Sequence, residues 1–309
     1  MADVRRSDVL NTLAVIVTHN RCELLGRCID HLQRQTCAPD GILVINNACT
    51  DGTVAMLERR GVSFVTQENV GSAGGWYRGI QHALDHGFDA VWLMDDDGFP
   101  DEGALELLEA ELLPGVACAS SVVVCEDAPT RFVFPLPVLD AAGLPIIWRR
   151  PRKLASVAEL RAAAPGGTYP FAHFFNGSLV SVAAVRQVGN VDCDFFMYGD
   201  ELDYFYRLRK AGKVISVLDA IHYHPDVSQR PYTKAKVYYY VKNTLVLNKR
   251  YFNAVWLRHA LTVATVIVRT VSRNDIGTAL SLVLGANAPM FYSAITRGLQ
   301  GKLGKDFND

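Results

Sequence analysis

Ala90-Val91-Trp92-Leu93-Met94-Asp95-Asp96-Asp97 is a short apolar run that ends in three consecutive carboxylates. It is the last of four such runs in the first half of the chain, after residues 13–17, 42–45 and 63–65. Continuous apolar runs of this length suit strands buried on both faces. Between them, residues 22–34, 53–60 and 72–86 have the spacing and length of helices. Strands that alternate with helices predict βαβ units, hence an α/β fold on a mixed, mostly parallel sheet. Ligands of such sheets bind at the carboxyl ends of the strands, so the polar residues there carry the most information.

The first run ends in Thr18-His19-Asn20-Arg21 and the second in Asn46-Asn47-Ala48-Cys49-Thr50-Asp51-Gly52-Thr53. The third leads into Glu68-Asn69-Val70-Gly71-Ser72-Ala73-Gly74-Gly75-Trp76-Tyr77-Arg78. Glycines 71, 74 and 75 ahead of a helix can cradle phosphate with backbone N–H groups. Their spacing matches neither a dinucleotide fingerprint nor a Walker A loop, and a flexible helix entry is the competing reading. Trp76 reads as a sugar platform or as core, and Arg78 as an anion contact. At the fourth run, three like charges side by side are costly unless a cation or donors offset them. Alternate residues of an extended segment point the same way, so Asp95 and Asp97 are expected to share one ligand. Oxygen ligands suit Mg²⁺ or Mn²⁺; a solvated acidic turn is the alternative.

Residues 129–170 are rich in proline, carry Arg149, Arg150, Arg152 and Lys153, and read as an irregular insertion. His173-Phe174-Phe175-Asn176-Gly177 then enters another apolar run. Asp200-Glu201-Leu202-Asp203 puts three carboxylates at the start of a helix, where acids also serve as caps. Glu201 or Asp200 is the candidate general base, and Asp203 faces the scaffold or an acceptor. His224 follows an apolar strand and, within reach of an Asp-x-Asp, is a candidate third metal ligand; a lone histidine is otherwise structural.

Lys+Arg number 31 and Asp+Glu 32, a formal net charge of -1. That balance argues against a chain-wide polyanion binder and against nucleic acid as a partner. Seven cysteines with no C-x-x-C pair predict reduced thiols rather than a disulfide framework or a structural zinc. The polar start, with Arg5 and Arg6, has no apolar signal core, so a cytoplasmic protein is expected.

The ordered set V-T-H-N-R, V-I-N-N-A-C-T-D-G-T, N-V-G-S-A-G-G-W, W-L-M-D-D-D, F-N-G and G-D-E-L-D resembles family 2 glycosyltransferases over residues 12 to about 230. Stretches such as A-G-G-W-Y-R-G, I-I-W-R-R and L-D-A-I-H-Y-H-P are similar to bacterial galactofuranosyltransferases of the mycobacterial initiating type. The resemblance implies a Rossmann-like GT-A fold over 1–230, an inverting mechanism and a UDP-galactofuranose donor. It further implies a lipid-linked glycan acceptor at the cytoplasmic face of the membrane. It assigns Asp95, Asp97 and His224 to the metal and Glu201, beside Asp200, to the base. Thr18, Asn20, Arg21, Asn46, Asn69, Gly74, Gly75, Trp76, Arg78, Asp95 and Asp96 fall to the nucleotide-sugar. Phe175, Asn176, Gly177 and Asp203 fall to the acceptor. Asn46 departs from the family's usual Asp and Cys49 from its usual Ser. A dTDP-rhamnose donor on the same fold, a non-catalytic glycan-binding protein and a nicotinamide oxidoreductase are the competing functions; the last lacks its dinucleotide fingerprint.

Residues 231–309 read as a C-terminal helical region, with helices over 233–250, 254–272 and 276–297. Lys234, Lys236, Lys242, Lys249 and Arg250 interleave with Tyr238, Tyr239, Tyr240 and Tyr251, a mixture that suits an anionic membrane surface. Residues 276–295 are uncharged, but Gly285, Asn287 and Pro289 favour an interfacial or core helix over a spanning one. A helical cap or a homo-oligomer contact is the alternative use.

Overall fold

The computed structural model describes residues 10–148, 150–228 and 230–306. Arg5, Arg6 and Arg149, noted above, lie outside them. The first half alternates as expected: β1 (Thr12–Thr18), α1 (Cys22–Gln33), β2 (Gly41–Asn47), α2 (Thr53–Arg60), β3 (Ser63–Gln67), α3 (Gly71–Asp85) and β4 (Ala90–Asp95). Then come β5 (Phe99–Pro100), α4 (Ala104–Glu111), β6 (Val116–Cys125), β7 (Ala128–Pro137), β8 (Lys153–Ser156), α5 (Val157–Ala163), β9 (Thr168–Tyr169) and β10 (Asn176–Ser181). The chain continues through α6 (Val182–Val188), α7 (Asp200–Leu208), β11 (Lys213–His224), α8 (Lys234–Tyr251), α9 (Val255–Arg273), α10 (Ile276–Leu284) and α11 (Ala288–Leu299).

The chain divides into two compact units. The first holds the described residues up to Val70, Gly75–Asn190 and Arg207–Pro225; the second holds Gly71–Gly74, Val191–Tyr206 and the described residues from Asp226. The division differs from a simple border at residue 230, because the segment that opens α7 belongs with the C-terminal helices.

In the first unit the strand order is β3-β2-β1-β4-β10-β6-β11-β5. β3, β2, β1 and β4 run parallel, and so do β6 and β11. β10 runs antiparallel between β4 and β6. Two reversals restore the direction, so β4 and β11 end at the same edge of the sheet. That edge receives Thr18, Asn46, Asp95 and His224. The strands hold because both faces are covered: every residue of β1 is buried, as is the run from Ala90 to Met94. Each fully buried Leu, Ile or Val contributes roughly 1.5–3 kcal/mol.

Two expectations fail here for stated reasons. Residues 129–170 are not wholly irregular: β7 pairs with β6 and β8, α5 carries a Ser156–Glu159 capping box, and β9 pairs with β11. Pro135 is tolerated because the β7–β8 register breaks between Arg131 and Leu136. The glycines at 71–75 are not a loop ahead of a helix but the first turns of α3. A Cβ on Gly75 would lie 2.5 Å from Val17 Cγ1, and one on Gly79 would collide with Val15. These glycines let α3 lie close on β1, so tertiary packing overrides low helix propensity.

The second unit is organised around α8. Tyr238, Tyr239, Val241, Lys242 and Leu245 are buried. Lys242 reaches the Gly304 carbonyl at 2.6 Å and pairs with Asp306, which Arg297 also holds at 2.5 Å. Lys242 is therefore an internal counter-ion and not a membrane contact; a charge is buried where it is paired. Lys249 donates to the Leu299 carbonyl at 3.1 Å. The helix expected over 276–297 is broken at 285–287, where Asn287 Nδ2 donates to Ser281 Oγ at 2.6 Å, and α10 and α11 meet at 64°. Among the described residues no single helix is long and apolar enough to cross a membrane. The bent α10–α11 pair passes that test by length and composition together.

If Gly75 serves packing, Gly75→Ala lowers stability by about 1–3 kcal/mol, the usual cost of overpacking, despite a helix-propensity gain of about 1 kcal/mol. Urea unfolding measures the loss, and UDP affinity should be retained. A stable variant that no longer binds UDP would return Gly75 to the donor site.

Candidate active site

The acidic triplet sits where β4 ends. Asp95 closes the strand, its N–H donating to the Phe175 carbonyl at 2.8 Å, and the backbone then turns at residues 96–97. Asp95 and Asp97 are thus not alternate residues of one extended segment. The turn buries Asp96 and Asp97, each 3% exposed. Thr18 Oγ1 donates to Asp96 Oδ2 at 2.7 Å. Arg21 Nη1 reaches Asp96 Oδ1 at 2.9 Å and Asp97 Oδ2 at 3.0 Å. Burial pushes the Asp96 carboxyl above its ordinary range, and the Asp97 charge adds to that, against the pull of Arg21 and Thr18.

Asp97 also meets the end of β11. His224 Nε2 lies 3.0 Å from Asp97 Oδ1, and His224 Nδ1 lies 2.7 Å from the Pro225 carbonyl. A carbonyl only accepts, so Nδ1 carries the hydrogen and Nε2 is left to face a carboxylate oxygen. Two lone pairs at that separation repel unless a cation lies between them, a proton or a metal ion. Adjacent ligands of an octahedral Mg²⁺ at ~2.1 Å stand about 3.0 Å apart, so the pair has the spacing of two metal ligands. No third His, Cys, Asp or Glu among the described residues completes a protein-only set, so Asp95 is not gathered with Asp97 and His224. Two protein ligands with phosphate oxygens and water are an ordinary arrangement for Mg²⁺, and the donor set fits on that basis.

The other strand ends are tied mainly to one another. Asn46, 1% exposed, donates to Thr66 Oγ1 at 3.1 Å and accepts from the Cys49 N–H at 2.8 Å. Asn20, with φ 53, accepts from the Thr50 N–H at 2.7 Å. Asn69 is half-buried in the β3–α3 connection, and Arg78 is exposed on α3. Trp76 is 1% exposed and stacks on Phe175 with centroids 4.4 Å apart, so its face is closed to a sugar and Phe175 is core. Gly177, with φ +86, has no room for a side chain: a Cβ would lie 2.8 Å from Ser121 Oγ and 3.0 Å from His222 Nδ1. Asn176 is buried, with Oδ1 lacking a hydrogen-bond partner among the described residues.

Sequence reasoning missed three neighbours. Gln67 Nε2 donates to Asn47 Oδ1 at 2.7 Å, and His19 Nδ1 meets the Asn47 carbonyl at 2.6 Å. These continue the polar ladder across β1, β2 and β3. His222 is fully buried beside Gly98 and Gly177, both ring nitrogens without hydrogen-bond partners among the described residues, and burial drives its pKa down to about 3. Its spacing from His224 on one strand face was the available signal.

The acid pair opens α7 in the second unit. Asp200 is buried, and its Oδ2 has no hydrogen-bond partner among the described residues. Burial, then the neighbouring Glu201 charge, pushes it up to about 8. Desolvation of its carboxyl raises Glu201 too, and the exposed surface Glu201 retains tempers that push. One proton shared between the two is the chemistry expected of a base poised near neutrality. Asp203 is committed elsewhere: its Oδ1 accepts from Tyr251 Oη at 2.6 Å and Arg250 Nη1 at 3.0 Å. It belongs to the scaffold and not to an acceptor.

Comparison with known proteins agrees with this geometry. The profile of Glycosyl transferase family 2 matches residues 13–161. The galactofuranosyltransferase GlfT1 of Mycobacterium tuberculosis is 35% identical over 224 residues, 70% of each chain. That of Mycolicibacterium smegmatis is 34% identical over 222 residues, 69% of this chain and 70% of the relative. Among solved structures, the mannosyltransferase PcManGT of Pyrobaculum calidifontis, in complex with GDP-Man and Mn²⁺, superposes with TM-score 0.53 at 15% identity, covering 94% of this chain and 85% of that one. GalNAc-T7 with UDP, GalNAc and Mn²⁺ gives TM-score 0.56 at 16% identity over 79% of this chain and 51% of that chain, so this chain spans about half of it. The fold is GT-A.

The Asp200 shift has a sign. Its native pKa of about 8 lies above the ordinary 3.8, so the native state holds a proton that the unfolded chain has released. The stability it confers is full below about pH 4 and is lost as pH rises through about 8. Urea midpoints should therefore fall between pH 4 and 9, and fall less in Asp200→Asn. An unchanged slope in the variant would contradict the shift.

Proposed function

The chain belongs to glycosyltransferase family 2, and on that premise we propose that it transfers galactofuranose from UDP-galactofuranose to a lipid-linked glycan acceptor, with inversion. The observation that carries the reading is the buried Asp97–His224 pair, 3.0 Å apart, whose facing lone pairs call for a cation at the sheet edge where donors bind. The donor sugar is supported by the named activity of the relatives at 34–35% identity.

Asp97 and His224 would hold the metal, Mn²⁺ or Mg²⁺. When bound, the ion would supply charge neutralisation of the diphosphate leaving group. Arg21 already pairs with two carboxylates, and its guanidinium fits phosphate oxygens equally well. Thr18 holds Asp96 in place beneath it. Glu201 takes the proton from the acceptor hydroxyl as that oxygen attacks the anomeric carbon. The carbon–oxygen bond to the diphosphate breaks, and UDP leaves with the electron pair. One displacement inverts the centre, and no glycosyl-enzyme bond forms. Asp200, raised by burial and by the Glu201 charge, keeps its proton near neutral pH and, being neutral, leaves Glu201 to carry the negative charge of the pair.

A lipid-linked acceptor places the reaction at the cytoplasmic face of a membrane, with the protein held peripherally. Support comes from Trp256, Ile276, Leu280 and Leu284, which are 81%, 68%, 57% and 86% exposed on α9 and α10.

A donor panel with Mn²⁺ and a synthetic lipid-linked acceptor tests the reading. Transfer is expected from UDP-galactofuranose; transfer from dTDP-rhamnose instead would overturn the donor. Glu201→Gln should retain UDP affinity and lose turnover by a factor on the order of 10²–10⁴. If Asp200→Asn is the inactive variant and Glu201→Gln is not, the base is Asp200.

A further inference from the structure

We propose that Asn243 of α8 is the positioning residue for the acid pair, acting through the backbone of residues 195–199. The inference rests on the reading of Asp200 and Glu201 as the catalytic acids, and it concerns a residue that no sequence motif marks.

Asn243 is fully buried. Its Nδ2 lies 3.0 Å from the Phe195 carbonyl, 2.8 Å from that of Met197 and 2.8 Å from that of Tyr198. Three carbonyls only accept, so the nitrogen end must face them, and its two hydrogens serve all three. The Oδ1 end is buried with no hydrogen-bond partner among the described residues. An unpaired buried acceptor is costly, so the donor end is the one the site needs.

The backbone it gathers is strained. Phe196 and Tyr198 have φ of 58 and 60, a region that side chains other than glycine rarely adopt. Gly199 follows with φ +98, and Asp200 and Glu201 come next. These turns aim the three carbonyls at one point. They would relax if the donor at that point were removed.

The same helix supports the loop above and below Asn243. The Phe196 ring packs against Tyr239, with centroids 5.2 Å apart. A Cβ on Gly199 would lie 3.1 Å from Leu247 Cδ1. Tyr239, Asn243 and Leu247 are four residues apart and form one ridge of α8. Gly71 presses on the loop from another side: a Cβ there would collide with the Phe196 carbonyl oxygen. Further along α7, Asp203 is pinned by Arg250 and Tyr251 of the same α8. The first turn of α7 is thus held before and after the acid pair. Among the described residues, the charged and titratable groups that face the pair include Asp203, Tyr198 and Cys193, with Arg269 and Arg273 of α9 and Tyr240 of α8 acting on Tyr198.

A loosened loop would leave both acids in the chain but let their separation and solvation wander. A misplacement of about 1 Å can cost on the order of a hundredfold in rate. The test uses the full chain, UDP-galactofuranose and a soluble acceptor analogue. Asn243→Ala is expected to lower kcat by about 10–100-fold while leaving the Kd for UDP unchanged. The acid limb of its kcat–pH profile should move to lower pH, because water that reaches the pair lowers its pKa. Asn243→Ser, which keeps one donor, should recover part of both. Wild-type kcat and an unmoved acid limb in Asn243→Ala would overturn the inference. Full turnover in Glu201→Gln would instead overturn the base assignment, whatever Asn243 does. If Asn243→Ala does not fold, amide hydrogen exchange on the wild-type protein decides: the Phe196, Met197 and Asp203 amides should exchange as slowly as those of α8. Exchange at the rate of an exposed loop would sink the proposal.

Discussion

Three adjacent carboxylates at the end of a buried strand are the constraint on which the rest of the first unit turns. Two unit charges 4 Å apart repel by about 4 kcal/mol at an effective dielectric near 20, so such a cluster persists only with compensation. The fold supplies it from two other strand ends. β1 lies beside β4 and delivers Thr18 and Arg21; β11, brought to the same edge by the two reversals at β10, delivers His224. Arg21 spans Asp96 and Asp97 with one nitrogen, and His224 Nε2 meets the other oxygen of Asp97 at 3.0 Å. The strand order, the close seat of α3 on β1 and the glycines near His222 all serve to bring these groups to one edge. The proposed cation-dependent anion site rests on this geometry, and transfer from a nucleotide diphosphate sugar is the chemistry proposed to use it.

The second unit solves a different problem. A carboxyl that stays protonated near neutral pH needs burial, and burial of Asp200 beside Glu201 needs a rigid backbone. α8 provides the rigidity through Asn243, through Arg250 and Tyr251 on Asp203, and through its own anchoring by Lys242 on Asp306. Lys242, Lys249, Arg250, Tyr239 and Tyr251 of α8 are thereby engaged in internal bonds, while Lys234 stays exposed. Exposed apolar side chains lie on α9, α10 and α11.

Much of the first unit was legible because its signals are local. Continuous apolar runs mark strands covered on both faces, and the structure places β1, β2 and β4 on those runs with small extensions at their ends. The acidic triplet was visible as a site, but the prediction that Asp95 and Asp97 point the same way assumed an extended backbone where the chain turns. Residues 71–75 looked like a phosphate cradle or a flexible entry to the helix expected over 72–86; only the proximity of Val17 shows that the missing side chain of Gly75 is a packing requirement. Lys242 looked like surface because its partner, Asp306, lies 64 residues away in sequence. Asp203 looked like part of a functional acid cluster until Arg250 and Tyr251 were seen to hold it. Asn243 carried no signal, since its role exists only through three carbonyls nearly 50 residues upstream. Misreadings of this kind share one cause: the partner is distant in sequence.

Calorimetric titration of UDP into the protein, with and without Mn²⁺, tests the central claim most directly. Binding should be strong with the ion and much weaker after chelation, and Asp97→Asn or His224→Ala should each remove the difference while the protein stays folded. Equal UDP affinity with and without Mn²⁺ in the wild-type protein, or a metal effect that survives both substitutions, would contradict a cation held between Asp97 and His224.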